Sequence, residues 1–231
     1  MTFDRQFDII LFDLEGTLVD FQWRLKDAVN QTLKILATAG IDLSVYGTTP
    51  GYAGLYNTTR DITGKWEATD AARLFDQIDD IYDTYDLDAL SRWTPYPVTH
   101  QLLSRLSNFG YRMGVVSNCG AHAVDTVLDR FNLSGFFEVV LSRNDVDYLK
   151  PHPQGLMLTQ EKFDAALDRT LFVGDSLNDI LAAEKVSMPS CFLFCGESRV
   201  TKESADMATF QISSLSKLAD FLIKQRNDQT S

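Results

Sequence analysis

The sequence predicts an α/β fold: a doubly wound, mostly parallel sheet with a small helical domain inserted after the first strand. Three observations point to it. Five apolar runs recur along the chain without polar alternation, as strands covered on both faces do. From about residue 100 onward, segments with helical periodicity alternate with those runs, which is the pattern of a parallel sheet. The interval between the first two runs, residues 20–95, is far too long for a single crossover.

The five runs are "FDIILF" (Phe7–Phe12), "YRMGVVS" (Tyr111–Ser117), "FFEVVLS" (Phe136–Ser142), "TLFVGD" (Thr170–Asp175) and "SCFLFC" (Ser190–Cys195). Between the first and second, Leu25, Ala28, Val29, Thr32, Leu33 and Leu36 mark one face of a helix ending at Gly40. A second helix is expected around Ala71–Tyr85, with Ala71, Leu74, Phe75, Ile78, Ile81 and Tyr82 inward. The stretch between them, "YGTTPGYAGLYNTTRDITG", is rich in Gly, Thr and Tyr and reads as loop with at most a short helix. Pro95 and Pro97 mark the return to the core. The expected division is therefore a core domain of residues 1–19 and 96–231 and a helical cap domain of residues 20–95. Val124, Val127, Leu128 and Phe131 follow the second run at helical spacing, and Ile180, Leu181 and Ala183 follow the fourth. Leu215, Leu218, Phe221 and Leu222 form a last amphipathic helix, and the final "RNDQTS" is expected to fray.

Composition narrows the function classes. Of 231 residues, 45% are hydrophobic and 23% charged, ordinary for a globular chain able to bury a core without staples. A net charge of −11 argues against nucleic acid and anionic membranes as partners. An acidic protein acting on an anionic substrate needs a local cation, either a metal or a few placed Lys or Arg. Three cysteines without framework spacing fit a reducing compartment. Cys191 and Cys195 would be roughly 13 Å apart along one strand, too far for a disulfide. No run approaches the ~20 apolar residues of a membrane span, so a cytoplasmic location is expected.

The chemistry gathers at the strand ends. The first run ends in Asp13 and Glu15, the second in Ser117 and Asn118, and the fourth in Asp175, followed by Asp179; Lys150 sits in "YLKPHP" after the third. Open parallel sheets bind ligands outside the carboxyl ends of their strands, so these residues are expected to converge. Clustered carboxylates repel unless a cation sits among them, and Mg²⁺ is the natural partner for oxygen ligands and phosphate. One acid can then attack phosphorus and form an aspartyl-phosphate. The second can protonate the leaving oxygen and later activate water. Ser117 and Lys150 would hold the other phosphoryl oxygens.

"DLEGT", "VVSN", "LKPHP" and "GDSLND", in this order, resemble the four motifs of the haloacid dehalogenase superfamily. The layout is most similar to its phosphoglycolate-phosphatase-like branch, with a helical cap between the first two motifs. The resemblance covers about residues 7–195 and implies a HAD-like Rossmannoid core and a Mg²⁺-dependent hydrolase acting on a small phosphorylated metabolite. Position by position, it implies Asp13 as nucleophile and metal ligand, and Glu15 as general acid/base whose backbone carbonyl also ligates the metal. It implies Ser117, with Asn118 beside it, as the phosphate-binding pair. Lys150 would steady the nucleophile and the phosphate. Asp175 would be a metal ligand and Asp179 a metal partner at one remove, through a ligand or through water. Gly16 and Thr17 match the turn leading toward the cap. Glu15 is a departure, since the family's usual second acid is Asp; glutamate keeps the proton chemistry and lengthens its reach by one methylene. A phosphomutase of the same branch and a non-catalytic phosphate-ligand sensor are the alternatives.

Several residues carry two readings. Asp179 is a metal partner, a helix cap, or both. Cys119 is a passive buried thiol or an oxidisable one near the site. His122 is a helix residue with a local partner or a substrate contact; His100 and His152 read as surface or loop residues. Trp23, Trp66 and Trp93 are expected to pack in or under the cap, and Arg60 and Lys65 are surface charges or partners for an anionic substrate tail. The oligomeric state, monomer or homodimer, is not encoded in any of these patterns.

Overall fold

The computed structural model describes residues 7–20, 22–194 and 205–227. Five parallel strands match the apolar runs: β1 (Ile9–Phe12), β2 (Arg112–Val116), β3 (Val139–Leu141), β4 (Thr170–Gly174) and β5 (Ser190–Leu193). A sixth, β6 (Phe210–Ile212), pairs with β5 and gives the order β3-β2-β1-β4-β5-β6, all parallel. This sixth strand has no counterpart in the sequence reading. It is three residues long and only partly covered, so its apolar signal is weak. Cys195 lies outside the described residues.

β1 sits between β2 and β4, with Phe12 opposite both Val115 and Val173. β1, β4 and β5 are buried along their whole length, which is why they read as unbroken apolar runs. Alternate residues feed two cores. Ile10, Phe12, Met113, Val115, Leu171 and Val173 pack under α4 (Thr99–Asn108), α5 (Ala121–Arg130) and α8 (Leu215–Asn227). Ile9, Leu11 and Phe172 pack on the other face under α6 (Gln154–Phe163) and α7 (Leu177–Lys185). Helices thus cover both faces, and the strand ends stay open for a site.

Between β1 and α4 lie α1 (Leu25–Thr38), α2 (Tyr52–Thr63) and α3 (Ala68–Leu90). α1 buries Ala28, Thr32 and Leu36, as its spacing predicts, and Gly40 follows it at φ 81°. α2 corrects the loop reading. Its Gly and Thr content lowers helix propensity, but Ala53, Leu55, Tyr56 and Thr59 recur at helical spacing and all are buried. α3 extends beyond the expected Ala71–Tyr85 at both ends; at the C-terminal end Asp86 and Ala89 continue the buried face. The outgoing and returning chains run side by side: the Asp20 N–H donates to the Thr94 carbonyl at 3.0 Å and the Thr94 N–H to Asp20 Oδ1 at 2.7 Å. No described helix is long and apolar enough to cross a membrane.

Candidate active site

Every predicted site residue lines one cavity of about 280 Å³ at the carboxyl ends of the strands. Asp13, Glu15, Ser117, Asn118, Lys150, Asp175 and Asp179 meet there, although up to 166 positions separate them (179 minus 13). Leu25, Tyr52, Ser176 and Asn178 complete the wall.

Asp13 leaves β1 with its backbone still in the sheet, its N–H donating to Val173 at 2.9 Å. Lys150 Nζ donates to Asp13 Oδ1 at 2.5 Å and to the Val116 carbonyl at 2.7 Å. It also lies 2.7 Å from Asp179 Oδ1, an ion-pair contact without hydrogen-bond geometry. Burial alone would push the Lys150 ammonium toward neutrality, but Asp13 and Asp179 outweigh it and hold the proton more tightly than usual.

Two asparagines fix this lysine. Asn118 receives the Lys150 N–H on Oδ1 at 2.9 Å and returns Nδ2–H to the Lys150 carbonyl at 3.1 Å. Asn57, from α2, clamps the Leu149 peptide the same way, at 2.8 Å in both directions. Asn118 is therefore a backbone clamp in the site. Ser117 Oγ accepts the Cys119 N–H at 3.0 Å, which orients the hydroxyl oxygen.

Asp179 has two partners at once. Its Oδ2 accepts from the Ser176 N–H and Oγ–H in a capping box that starts α7, while Oδ1 faces Lys150. Asp13, Asp175 and Asp179 each place a carboxylate oxygen within 4.8 Å of the others. Burial, then the Asp13 and Asp179 charges, raises the Asp175 carboxyl, and burial likewise raises Asp13 despite Lys150. Three buried acids stand around one lysine. The donors are all hard oxygens, so a divalent cation fits. Gly16 makes the crowding possible: at φ 79° it passes so close that a Cβ would lie 2.6 Å from the Asp175 carboxyl carbon.

Glu15 stands apart from that trio. Its Oε2 accepts from the Cys119 thiol at 2.7 Å, and its Oε1 is buried with no hydrogen-bond partner among the described residues. Burial, followed by the charge of Asp86, pushes its carboxyl up to about 8. It therefore keeps a proton at neutral pH in the metal-free protein.

The sequence reading missed the group behind this loop. Arg143, fully buried, donates Nε–H to Asp79 at 3.1 Å, Nη1–H to Asp86 at 3.1 Å and Nη2–H to Asp83. All three acids are on α3, at helical spacing. Asp86 also accepts from Gly120 N–H at 2.8 Å and Trp23 Nε1–H at 2.9 Å. The i, i+4, i+7 acids 79, 83 and 86 were visible in the sequence; the arginine they meet was not.

The remaining readings resolve locally. Trp23 and Trp93 are buried in the main core, and Trp66 packs against it. His122 is exposed, and its carbonyl accepts from Thr126. His100 packs edge-on against Phe136 and His152 stacks on Tyr148. Arg60 does not reach the cavity: it lies 3.4 Å over the Phe75 ring and donates to the Asp147 carbonyl at 3.2 Å. Lys65 is exposed away from it.

Comparison with known proteins adds the lineage. A family model described as haloacid dehalogenase-like hydrolase matches residues 10–193. A phosphoglycolate phosphatase of Photorhabdus laumondii is 31% identical over 189 residues, covering 81% of this chain and 80% of that protein. A phosphoglycolate phosphatase of Psychrobacter arcticus is 27% identical over 225 residues, covering 96% and 97%. Among solved structures, a hydrolase from Pseudomonas syringae superposes with a TM-score of 0.64 at 21% identity, covering 94% of this chain and 98% of that one, a likeness of fold.

Proposed function

This chain belongs to the haloacid dehalogenase-like hydrolases, in the phosphoglycolate-phosphatase-like group, and from that premise we propose how it works as a phosphatase. The substrate is a small phosphorylated metabolite, the metal is Mg²⁺, and the covalent intermediate forms on Asp13. The observation that carries the reading is the Asp13 carboxylate, bonded to Lys150 and grouped with Asp175 and Asp179 in one cavity. Asp13, Asp175 and, directly or through water, Asp179 would hold the ion together with the Glu15 backbone carbonyl. Bound there, Mg²⁺ supplies positive charge that offsets the phosphoryl oxygens.

The chain's own groups do the rest. Asp13 forms a bond to phosphorus as the ester bond to the alcohol oxygen breaks. Glu15, in its protonated form, gives a proton to the leaving oxygen. The resulting Glu15 carboxylate then takes a proton from water, whose oxygen attacks phosphorus and releases phosphate from Asp13. Ser117 and Lys150 steady the phosphoryl oxygens. Residues 20–95 act as a cap that covers the reacting centre and limits water to the second step.

The test is hydrolysis of an aryl phosphate with Mg²⁺ and with chelator. Turnover should require Mg²⁺. A folded protein with no Mg²⁺-dependent turnover on aryl phosphate or a metabolite panel would refute the proposal. Isomerisation of a sugar phosphate without net phosphate release would show a mutase instead.

A further inference from the structure

The wall facing the reacting centre decides which alcohol the phosphate can be attached to. From residues 20–95, two described residues line the cavity: Leu25, the first residue of α1, and Tyr52, the first of α2. Neither their preceding nor their following residues do, so each helix presents one side chain there. Tyr52 is fixed by packing. Its ring lies 4.9 Å from that of Trp23 and 5.7 Å from that of Tyr82, whose hydroxyl donates to the Tyr52 carbonyl at 3.0 Å. Its phenol is held in the neutral form by burial and by the nearby acids, so it can offer a hydrogen bond but not a charge.

The described cations of this segment are engaged or turned outward. Arg24 and Arg92 pair with Asp88, and Arg73 with Asp70. Arg60 is stacked on Phe75. Lys26, Lys34 and Lys65 are exposed and do not line the cavity. Inside, Lys150 is the lining cation among the described residues, and Asp13 and Asp179 already share it. A second anionic group on the substrate would meet Leu25 and a neutral phenol on the cap side and Ser176 and Asn178 elsewhere in the wall, with Lys150 the lining cation among the described residues. Neutral groups offset the desolvation of an anion poorly, so it would be disfavoured. A hydroxyl or short aliphatic group would be satisfied by Tyr52 and Leu25. The cavity, about 280 Å³ with the phosphoryl group included, lies at the small end of ligand sites, roughly 300–1,000 Å³.

The geometry points to a phosphate monoester of a small, uncharged alcohol as the substrate class, with Leu25 and Tyr52 selecting against a second anion on the leaving group. This inference rests on the phosphatase reading. It separates the chain from relatives whose names specify phosphoglycolate, an ester that carries a carboxylate beside the reacting bond.

Two esters of one skeleton test it: 2-phosphoglycolate and 2-hydroxyethyl phosphate, which replaces the carboxylate by CH₂OH. Each is measured with Mg²⁺ as a substrate and as a competitive inhibitor of aryl phosphate hydrolysis. The expected result is a preference for the hydroxyethyl ester of about ten-fold or more. Leu25→Lys, at a half-buried helix start, should move that ratio several-fold toward phosphoglycolate. Equal use of the two esters, preference for phosphoglycolate, or a ratio that Leu25→Lys leaves unchanged would overturn the assignment. Folded wild-type protein that turns over neither aryl phosphate, nor either ester, nor a metabolite panel with Mg²⁺ would instead refute the underlying phosphatase reading.

Discussion

Two buried cations, each ringed by aspartates, touch the loop after β2, and their partners leave them in different conditions. Arg143 meets Asp79, Asp83 and Asp86 through separate nitrogens and also reaches the Asn118 carbonyl at 3.3 Å. The fork of a guanidinium matches this many acceptors, and Asp86 gains two further donors. Lys150 has one ammonium for Asp13 and Asp179, with Asp175 beside them and its carboxyl pushed up by burial and its neighbours. The first cluster is complete in protein groups and fastens α3 to the core. The second sets three carboxyl groups around one ammonium, and it lines the cavity. A cluster whose cation meets every acid through its own nitrogen holds structure; one that crowds carboxyl groups around a single ammonium is suited to a second cation.

The widest separation between the two should come from Asp13→Asn. Turnover should fall by at least about 10³-fold, because the nucleophile is gone. Melting of the metal-free variant should be at or above that of wild type, since one repelling carboxylate is removed. A large loss of stability would make Asp13 a structural residue and erase the contrast.

Arg143→Met is the reverse experiment. It leaves three acids unpaired, one of them Asp86 at 2% exposure, and should cost about 3–5 kcal/mol in urea unfolding. Loss under about 1 kcal/mol would show that α3 is held by apolar packing alone.

Mg²⁺ should stabilise wild type by about 2.7 kcal/mol at a hundred-fold excess over its dissociation constant, and chelator should remove the gain. Arg143→Met should keep that increment and Asp13→Asn should lose most of it. An increment abolished by both would mean that the two clusters form one unit.

The smallest effect is a pH slope. Unfolded, the Glu15 carboxyl ionises near 4.5; folded, it keeps its proton to about 8. Between those values the unfolded chain releases the proton first, so folding weakens as pH rises. The contribution is whole below about 4.5 and gone above about 8. Metal-free protein should thus melt lower at the alkaline end of that window, and Glu15→Gln should make the slope shallower, the raised Asp175 and Asp13 carboxyls carrying the remainder. The same variant should lose most activity, while Glu15→Asp keeps some. A slope unchanged in Glu15→Gln would place the titration elsewhere.

The strand-end acids were legible because chemistry and topology leave the same mark. A buried parallel strand must be apolar on both faces, so the polar residue that ends it, Asp13 or Asp175, stands out. Asp179 was legible only in part; its pairing with Ser176 is local, but its approach to Lys150 spans 29 positions (179 minus 150). α2 was hidden because Gly and Thr weaken a helical signal that buried Leu55 and Tyr56 then override. Cys119 looked like an ordinary buried thiol, and only its distance to Glu15 gives it a partner.

By itself, the sequence determined the α/β class, the inserted helices, and which residues would meet at the strand ends. Those features follow from periodicity and from strand direction, both of which are local. Tertiary structure alone decided that Asn118 and Asn57 clamp consecutive peptides, that Arg143 gathers three acids from α3, and that Leu25 and Tyr52 face the reacting centre. These depend on how a helical insertion settles on a sheet edge. Such docking is set by long-range packing and desolvation, which leave no periodic trace along the chain.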